Sequence, residues 1–153
     1  MARVIAVTNQ KGGVGKTTTS INVAYFLSKM GKRTLIIDFD PQGNATSGLG
    51  IDKQELGATM TEVIMRQTRL AKVVLPTEYK DLFLAPSTSH LANTEVELAQ
   101  ADGRFARLRE ALNGVIDYDY IIIDSPPSLS LLTVNGLVAA DYVLLPVQAD
   151  RKS

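Results

Sequence analysis

Cysteine and tryptophan are absent from this chain of 153 residues, and there is a single histidine. Without cysteine the chain can form neither disulfides nor thiolate metal sites, which excludes iron–sulfur carriers and fits a cytosolic protein. Apolar runs of about eighteen residues or more are also missing, as is a charged-then-apolar leader. We therefore expect no membrane span and no signal peptide.

An excess of charge of either sign is missing too, because 16 basic and 16 acidic residues cancel. The overall charge therefore gives no indication of binding to nucleic acid or to an anionic membrane. Hydrophobic residues make up 45% of the chain, which indicates a globular protein rather than a disordered one. This length is typical of one domain with a sizeable core, so we expect a single domain over residues 1–153.

A glycine-rich segment, residues 10–18, follows the first apolar run, residues 4–7, and precedes a helical pattern. This order is that of a phosphate-binding P-loop, in which glycines let backbone N–H groups turn inward around an anion and the helix adds its positive dipole end. The predicted phosphate-binding residues are Gly12, Gly13, Val14, Gly15, Lys16, Thr17 and Thr18. Lys16 would reach the β- and γ-phosphates, and the Thr17 hydroxyl would ligate Mg²⁺.

Two further apolar runs end in aspartates. Residues 34–37 lead into Asp38 and Asp40, and three isoleucines at 121–123 lead into Asp124. Carboxylates at the C-terminal ends of parallel strands beside a P-loop lie where open α/β sheets bind ligands. We expect Asp124 to hold the Mg²⁺ of the nucleotide. Each segment alone has a plain alternative, since Asp-Pro and Gly-Asn are ordinary turn formers and many buried strands end in aspartate.

Hydrophobic periodicity predicts the remaining elements. Strands are expected at about 3–8, 34–37, 82–85, 121–123 and 142–146, and helices at about 16–30, 60–67, 91–100, 104–112 and 129–140. Thr59 and Glu62 have the spacing of a capping box. The first strand, helix and strand form a βαβ unit, whose crossover should be right-handed. The predicted fold class is α/β, a mainly parallel sheet of the P-loop NTPase type with helices on both faces.

The glycine-rich segment departs from the strict P-loop pattern, because Gln10 stands in place of a glycine and Lys11 is an additional lysine. Lys-Gly-Gly-Val-Gly-Lys-Thr-Thr resembles the deviant Walker A motif of the ParA/MinD group of ATPases. Residues 38–44, Asp-Phe-Asp-Pro-Gln-Gly-Asn, resemble the switch I segment of ParA-type proteins, and residues 124–128 resemble their switch II. Since MinD-type relatives usually diverge after the second aspartate, the sequence favours the partition branch.

The resemblance implies roles for particular residues. Lys11 would reach the nucleotide held by the partner subunit of an ATP-sandwich dimer, and Asp40 would polarise the attacking water. Asp38 would support the metal site together with Thr17 and Asp124. The candidate catalytic residues are Lys11, Lys16 and Asp40, and the implied cofactors are ATP and Mg²⁺.

The resemblance also implies partners and a location. ParA-type proteins form nucleotide-dependent homodimers that coat DNA nonspecifically, and a ParB-type centromere-binding protein triggers hydrolysis and release. The implied location is the cytoplasm, in association with the nucleoid and not with a membrane. Relatives continue well beyond the equivalent of Ser153, so we expect this chain to be the N-terminal portion of a longer family domain, with the DNA-binding residues downstream.

Two alternatives stay open at this point. A membrane-associated positioning ATPase of the MinD type would carry a C-terminal amphipathic helix, which a longer chain could contain. A truncated interaction module would bind nucleotide poorly, hydrolyse none and compete with a full-length partner. Nitrogenase-like reductases of the same superfamily require cysteines, which this chain lacks. The cargo could be a chromosome, a plasmid or a protein cluster.

Overall fold

The computed structural model describes residues 2–8 and 15–146, and within them the strands form one six-stranded sheet. The strands are β1 (Arg3–Val7), β2 (Thr34–Asp38), β3 (Leu75–Pro76), β4 (Leu82–Ala85), β5 (Tyr120–Asp124) and β6 (Tyr142–Leu144). Their order across the sheet is β3-β4-β2-β5-β1-β6. Every neighbouring pair is parallel except β3 and β4, which are antiparallel. The predicted mainly parallel α/β sheet is therefore confirmed.

Six α-helices lie in the described part of the chain: α1 (Lys16–Lys29), α2 (Asn44–Gly48), α3 (Met60–Ile64), α4 (Thr94–Glu97), α5 (Arg107–Leu112) and α6 (Leu131–Ala139). Two buried clusters cover the two faces of the sheet. Ala24 of α1 packs with Ile36 and Ile122 in one cluster, and Leu108 of α5 packs with Leu35 and Ile121 in the other. Consecutive residues of the central strands thus enter opposite cores, which explains their unbroken apolar runs.

The register of the central strands places the aspartates together. Asp38 of β2 pairs with Asp124 of β5, and Asp124 also pairs with Val7 at the end of β1. The chain that leaves Val7 leads through the glycine-rich segment to Lys16, the first residue of α1. The ends of β1, β2 and β5 and the start of α1 therefore lie at the carboxyl edge of the sheet, where parallel α/β folds bind ligands.

The capping box at the start of α3 is confirmed. The Thr59 N–H donates to Glu62 Oε1 at 2.7 Å, and the Thr59 hydroxyl accepts from Thr61 N–H at 3.3 Å. The predicted end near residue 67 is wrong, because Arg66 has a left-handed φ of 62° that stops the helix after Ile64.

Other predicted boundaries are wrong as well. The helix expected at 91–100 is a 3₁₀ turn, Ser89–Asn93, followed by the single turn α4, in which the Thr94 hydroxyl donates to Leu91 O and competes with helical pairing. The helix expected from residue 104 begins at Arg107, and Phe105 before it is exposed. Neither α2 nor β3 was predicted, since neither is long enough to establish a periodicity.

Among the described residues, no helix combines the length and the apolar character needed to cross a bilayer.

Candidate functional site

Three side chains from the first turns of α1 converge on the carboxylate of Asp124 at the end of β5. Lys16 Nζ lies 2.6 Å from Oδ1, the Thr17 hydroxyl donates to Oδ2 at 2.9 Å, and the Ser20 hydroxyl donates to Oδ1 at 2.9 Å. Asp124 is fully buried and Lys16 nearly so. The ammonium therefore compensates a carboxylate charge that would be strongly destabilising if it were buried alone.

Asp40 lies on the other side of the Lys16 ammonium. Asp40 Oδ2 is 3.7 Å from Lys16 Nζ, while Oδ1 accepts a hydrogen bond from Gln42 N–H at 3.0 Å. Both charged side chains are buried. Lys16 is thus a cation shared by two carboxylates from different strand ends, and an incoming anion would have to compete with both for the ammonium.

Asp38 lies beside Asp124 in the sheet, but its carboxylate oxygens accept hydrogen bonds from the loop that follows β2. Oδ2 accepts from Thr46 N–H at 2.8 Å and from the Thr46 hydroxyl at 2.6 Å, and Oδ1 accepts from Asp40 N–H at 3.3 Å. Burial raises the pKa of Asp38 to about 6, with a smaller upward contribution from the charge of Asp124 and a downward one from the Thr46 hydrogen bonds. Asp38 therefore organises the loop that follows β2.

This raised pKa predicts a pH-dependent stability. The folded chain holds the Asp38 proton up to a pH of about 6, whereas the unfolded chain loses it near 3.8. The free energy of unfolding should therefore fall as the pH rises from about 4 to about 6, by about 3 kcal/mol from this group. Urea unfolding of the metal-free chain between pH 4 and 7 measures it. Asp38→Asn should remove this part of the pH dependence, and identical pH profiles for the variant and the wild type would contradict the assignment.

The start of α1 has two features that favour phosphate binding. Gly15 immediately precedes Lys16 with a left-handed φ of 66°, which residues with a Cβ adopt only with strain. No acidic residue lies in the first turn of this helix of 14 residues, so its positive dipole end is not neutralised from within. Thr18 is exposed on the helix. The other predicted residues of the loop, Lys11, Gly12, Gly13 and Val14, lie outside the described residues.

The donor set beside Asp124 fits a magnesium ion. A threonine hydroxyl and a carboxylate lie 2.9 Å apart, and Mg²⁺ prefers oxygen ligands of these kinds. The Lys16 ammonium lies 2.6 Å from the same carboxylate, so a positive charge already faces Asp124. Of the residues assigned to phosphate and metal, Lys16, Thr17 and Asp124 therefore lie within one hydrogen-bonded group.

Three residues of this region were not predicted from the sequence: Ser20, Thr46 and Ser87. Ser20 could have been found, because it lies four residues after Lys16 and so on the same face of the helix. Thr46 and Ser87 follow different strands, and only the folded chain brings Ser87 N–H to within 3.1 Å of Thr46 Oγ1.

A protein-family model described as an AAA domain matches residues 2–153. The chain belongs to this AAA domain family. Over 151 residues, 98% of its length, the chain is 48% identical to the sporulation initiation inhibitor protein Soj of Bacillus subtilis and 50% identical to the chromosome partitioning protein ParA of Myxococcus xanthus. These matches cover 60% and 53% of the two relatives, so this chain spans between half and two thirds of their length. The resemblance to ParA-type ATPases is confirmed.

A solved structure gives the same architecture. The cobyrinic acid a,c-diamide synthase of Mycobacterium smegmatis, with bound ADP and magnesium, superimposes with a TM-score of 0.93 at 41% identity. The match covers 96% of the chain described here and 60% of the synthase. The P-loop fold class is therefore confirmed, and at this general level the family is one of ATPases.

Proposed function

We propose that this chain carries the nucleotide site of a Mg²⁺-dependent ATPase of the ParA type. The observation that supports the proposal most directly is the group formed by Lys16, Thr17 and Asp124, in which an ammonium and a hydroxyl from the N-terminal end of α1 each lie within 2.9 Å of the carboxylate. The relative that holds ADP and magnesium has the same fold at 41% identity. ATP as the nucleotide follows from the family.

In this mechanism Lys16 exchanges its carboxylate partners for the β- and γ-phosphates. The backbone N–H groups of residues 12–18 bind the same phosphates at the positive end of α1. Thr17 and Asp124 would hold a magnesium ion, which would neutralise charge that develops on the transferred phosphoryl group. Asp38 supports this metal site indirectly, because Thr46 and Asp40 N–H occupy its oxygens.

Asp40 is proposed to orient the attacking water. Its Oδ2 already lies 3.7 Å from Lys16 Nζ, so it is next to the group that would contact the γ-phosphate. The Gln42 N–H holds Oδ1 and thereby fixes the plane of the carboxylate. A water bound to Oδ2 would have its proton acceptor beside it and would lie close to the γ-phosphate, its target.

Phosphate release from ATP tests this proposal. We expect the wild-type chain to release phosphate with Mg²⁺ and not with EDTA, and Thr17→Val to lower the release at limiting Mg²⁺ because it removes one metal ligand. Thr19→Val is the matched control, since it makes the same change on the same helix two residues further along. Mg²⁺-independent release, or equal rates in the two variants, would contradict the metal assignment.

Lys11 is proposed to act across a nucleotide-dependent homodimer. Its support is the deviant Walker A motif and the family. Lys11→Ala should therefore impair dimerisation with ATP and Mg²⁺ and slow hydrolysis, while affinity for nucleotide in the monomer changes little. Sedimentation velocity with and without ATP measures the effect, with Lys32→Ala as an exposed-lysine control. An unchanged dimer in Lys11→Ala would argue against a role in the partner subunit.

For the whole protein we propose the ParA cycle: nonspecific DNA association of the ATP-bound dimer, release on hydrolysis stimulated by a ParB-type centromere-binding protein, and a cytoplasmic, nucleoid-associated location. Two relatives, named as the sporulation inhibitor Soj and the chromosome partitioning protein ParA, support this choice. The Asp-Pro-Gln-Gly-Asn segment at residues 40–44 favours it over a membrane-associated MinD-type protein.

A further inference from the structure

The loop that follows β4 is tied to the loop that follows β2, and this contact has no role in the mechanism above. We propose that Ser87 and Thr46 are positioning residues for hydrolysis: together they fix the peptide of Asp40 and hence the place of its carboxylate beside Lys16. The proposal rests on the proposed ATPase function for its catalytic consequence, but its structural part can be tested without nucleotide.

Ser87 makes the direct contact to Asp40. Its hydroxyl lies 2.8 Å from Asp40 O and donates to it, with Thr88 O as a longer alternative acceptor at 3.4 Å. Ser87 is fully buried, and Asp40 is 4% exposed. Water therefore cannot easily replace this hydrogen bond, and its loss would leave a buried carbonyl with one partner fewer.

Thr46 extends the contact to Asp38. The Ser87 N–H donates to Thr46 Oγ1 at 3.1 Å, and because a backbone N–H can only donate, the Thr46 hydroxyl proton remains available for Asp38 Oδ2 at 2.6 Å. Thr46 is fully buried as well. The connected hydrogen bonds from Asp38 through Thr46 and Ser87 to Asp40 are called the Ser87–Thr46 bridge below.

The bridge determines the position of Asp40 because both the N–H and the carbonyl of that residue are hydrogen-bonded. Its N–H donates to Asp38 Oδ1 at 3.3 Å, and its carbonyl accepts from Ser87 Oγ and from Gly43 N–H, each at 2.8 Å. The side chain then extends to within 3.7 Å of Lys16 Nζ. Catalytic geometry tolerates little displacement: an error of about 1 Å can cost roughly a hundredfold in rate.

Close packing at Gly43 supports the same conclusion. A Cβ at Gly43 would lie 3.2 Å from Ser87 O and 2.9 Å from Lys53 Nζ, and the residue has a left-handed φ of 65°. Lys53 Nζ in turn donates to Gln42 O at 3.0 Å. The loop after β2 therefore packs closely against the loop after β4 at Gly43.

The structural part is tested by amide hydrogen exchange of the nucleotide-free chain. Ser87→Ala removes the donor to Asp40 O, and we expect the amides of Gly43 and Thr46 to exchange roughly tenfold faster. Ser28→Ala is the matched control, because Ser28 is also a buried serine whose hydroxyl donates to a backbone carbonyl, Tyr25 O at 2.7 Å, near the far end of α1. Equal exchange at Gly43 and Thr46 in the two variants would overturn the proposal.

The catalytic part is tested by separating rate from affinity. Ser87→Ala and Thr46→Val should lower single-turnover hydrolysis of ATP by roughly tenfold or more, with affinity for ATP within about twofold of the wild type. Thr46→Ser, which keeps the hydroxyl, should restore most of the rate. A lowered melting temperature without a change in rate, as expected for Ser28→Ala, would mean that the bridge only stabilises the fold and would overturn the catalytic role. If the folded wild type hydrolyses no ATP, the ATPase proposal fails for this chain, and the exchange experiment alone decides whether the bridge holds Asp40.

Discussion

Replacing Lys16 with alanine is expected to weaken ATP binding by about a hundredfold or more. The side chain is the charge nearest to the proposed phosphate position, and removing one partner of a buried charged pair typically costs about 2 to 5 kcal/mol. Titration calorimetry with ATP and Mg²⁺ measures the loss. Lys29→Ala is the matched control, because Lys29 is an exposed lysine in the last turn of the same helix.

The same substitution should also destabilise the nucleotide-free chain. Lys16 lies between the buried carboxylates of Asp124 and Asp40, and deleting it leaves both without a cation, at a cost of about 3 kcal/mol. Lys16→Arg keeps a positive charge there and so should remain folded, yet its planar guanidinium does not match the compact ammonium. We expect this folded variant to bind ATP weakly, and affinity close to that of the wild type in both variants would refute the P-loop assignment.

Replacing Asp40 with alanine is expected to stop hydrolysis while binding survives. The variant loses the proposed partner of the attacking water, and losses of roughly a hundredfold to a thousandfold in rate are typical for one preorganised catalytic group. Affinity for ATP should fall little, because Asp40 is an anion that competes with the phosphates for Lys16 at 3.7 Å. Single-turnover hydrolysis and equilibrium binding, measured on the same preparation, separate the two effects.

Asp52→Ala serves as the control for Asp40→Ala, since Asp52 is an exposed aspartate that caps a nearby 3₁₀ turn through Gln54 N–H. Asp40→Asn adds a finer comparison, because it keeps an acceptor for the Gln42 N–H and removes only the charge. If Asp40→Ala still hydrolysed ATP at the rate of the wild type, the catalytic role would be refuted, and Asp40 would have only a structural role in the turn.

The central residues of the candidate site could be predicted because each belongs to a short, recognisable sequence pattern. Lys16 and Thr17 are consecutive, follow the glycine-rich segment and begin a helix, and Asp38 and Asp124 each end an apolar run. Once the sheet is parallel, strand ends with these side chains must meet at one edge. The structure accordingly brings Lys16, Thr17, Asp40 and Asp124 together, with Asp38 directly behind them.

The contact between Thr46 and Ser87 could not be predicted, because no local sequence pattern indicates it. Thr46 and Ser87 lie 41 residues apart in small polar loops, and each could have been an ordinary turn residue. The short helices failed for a related reason: α3 and α4 are too brief for hydrophobic periodicity to fix their ends, and a left-handed Arg66 or a Thr94 hydroxyl decides where pairing stops. A long-range hydrogen bond thus joins Thr46 to Ser87, whereas single local features set the helix ends.

The most direct test of the account is a Mg²⁺-dependent titration of the 153-residue chain with a fluorescent ATP analogue. Circular dichroism on the same sample establishes that the chain is folded. If Lys16, Thr17 and Asp124 form a working phosphate and metal site, binding will be saturable, will weaken when EDTA removes Mg²⁺, and will be displaced by unlabelled ATP. A folded chain that binds no analogue at any Mg²⁺ concentration would contradict the nucleotide site in this chain and would favour an interaction module instead.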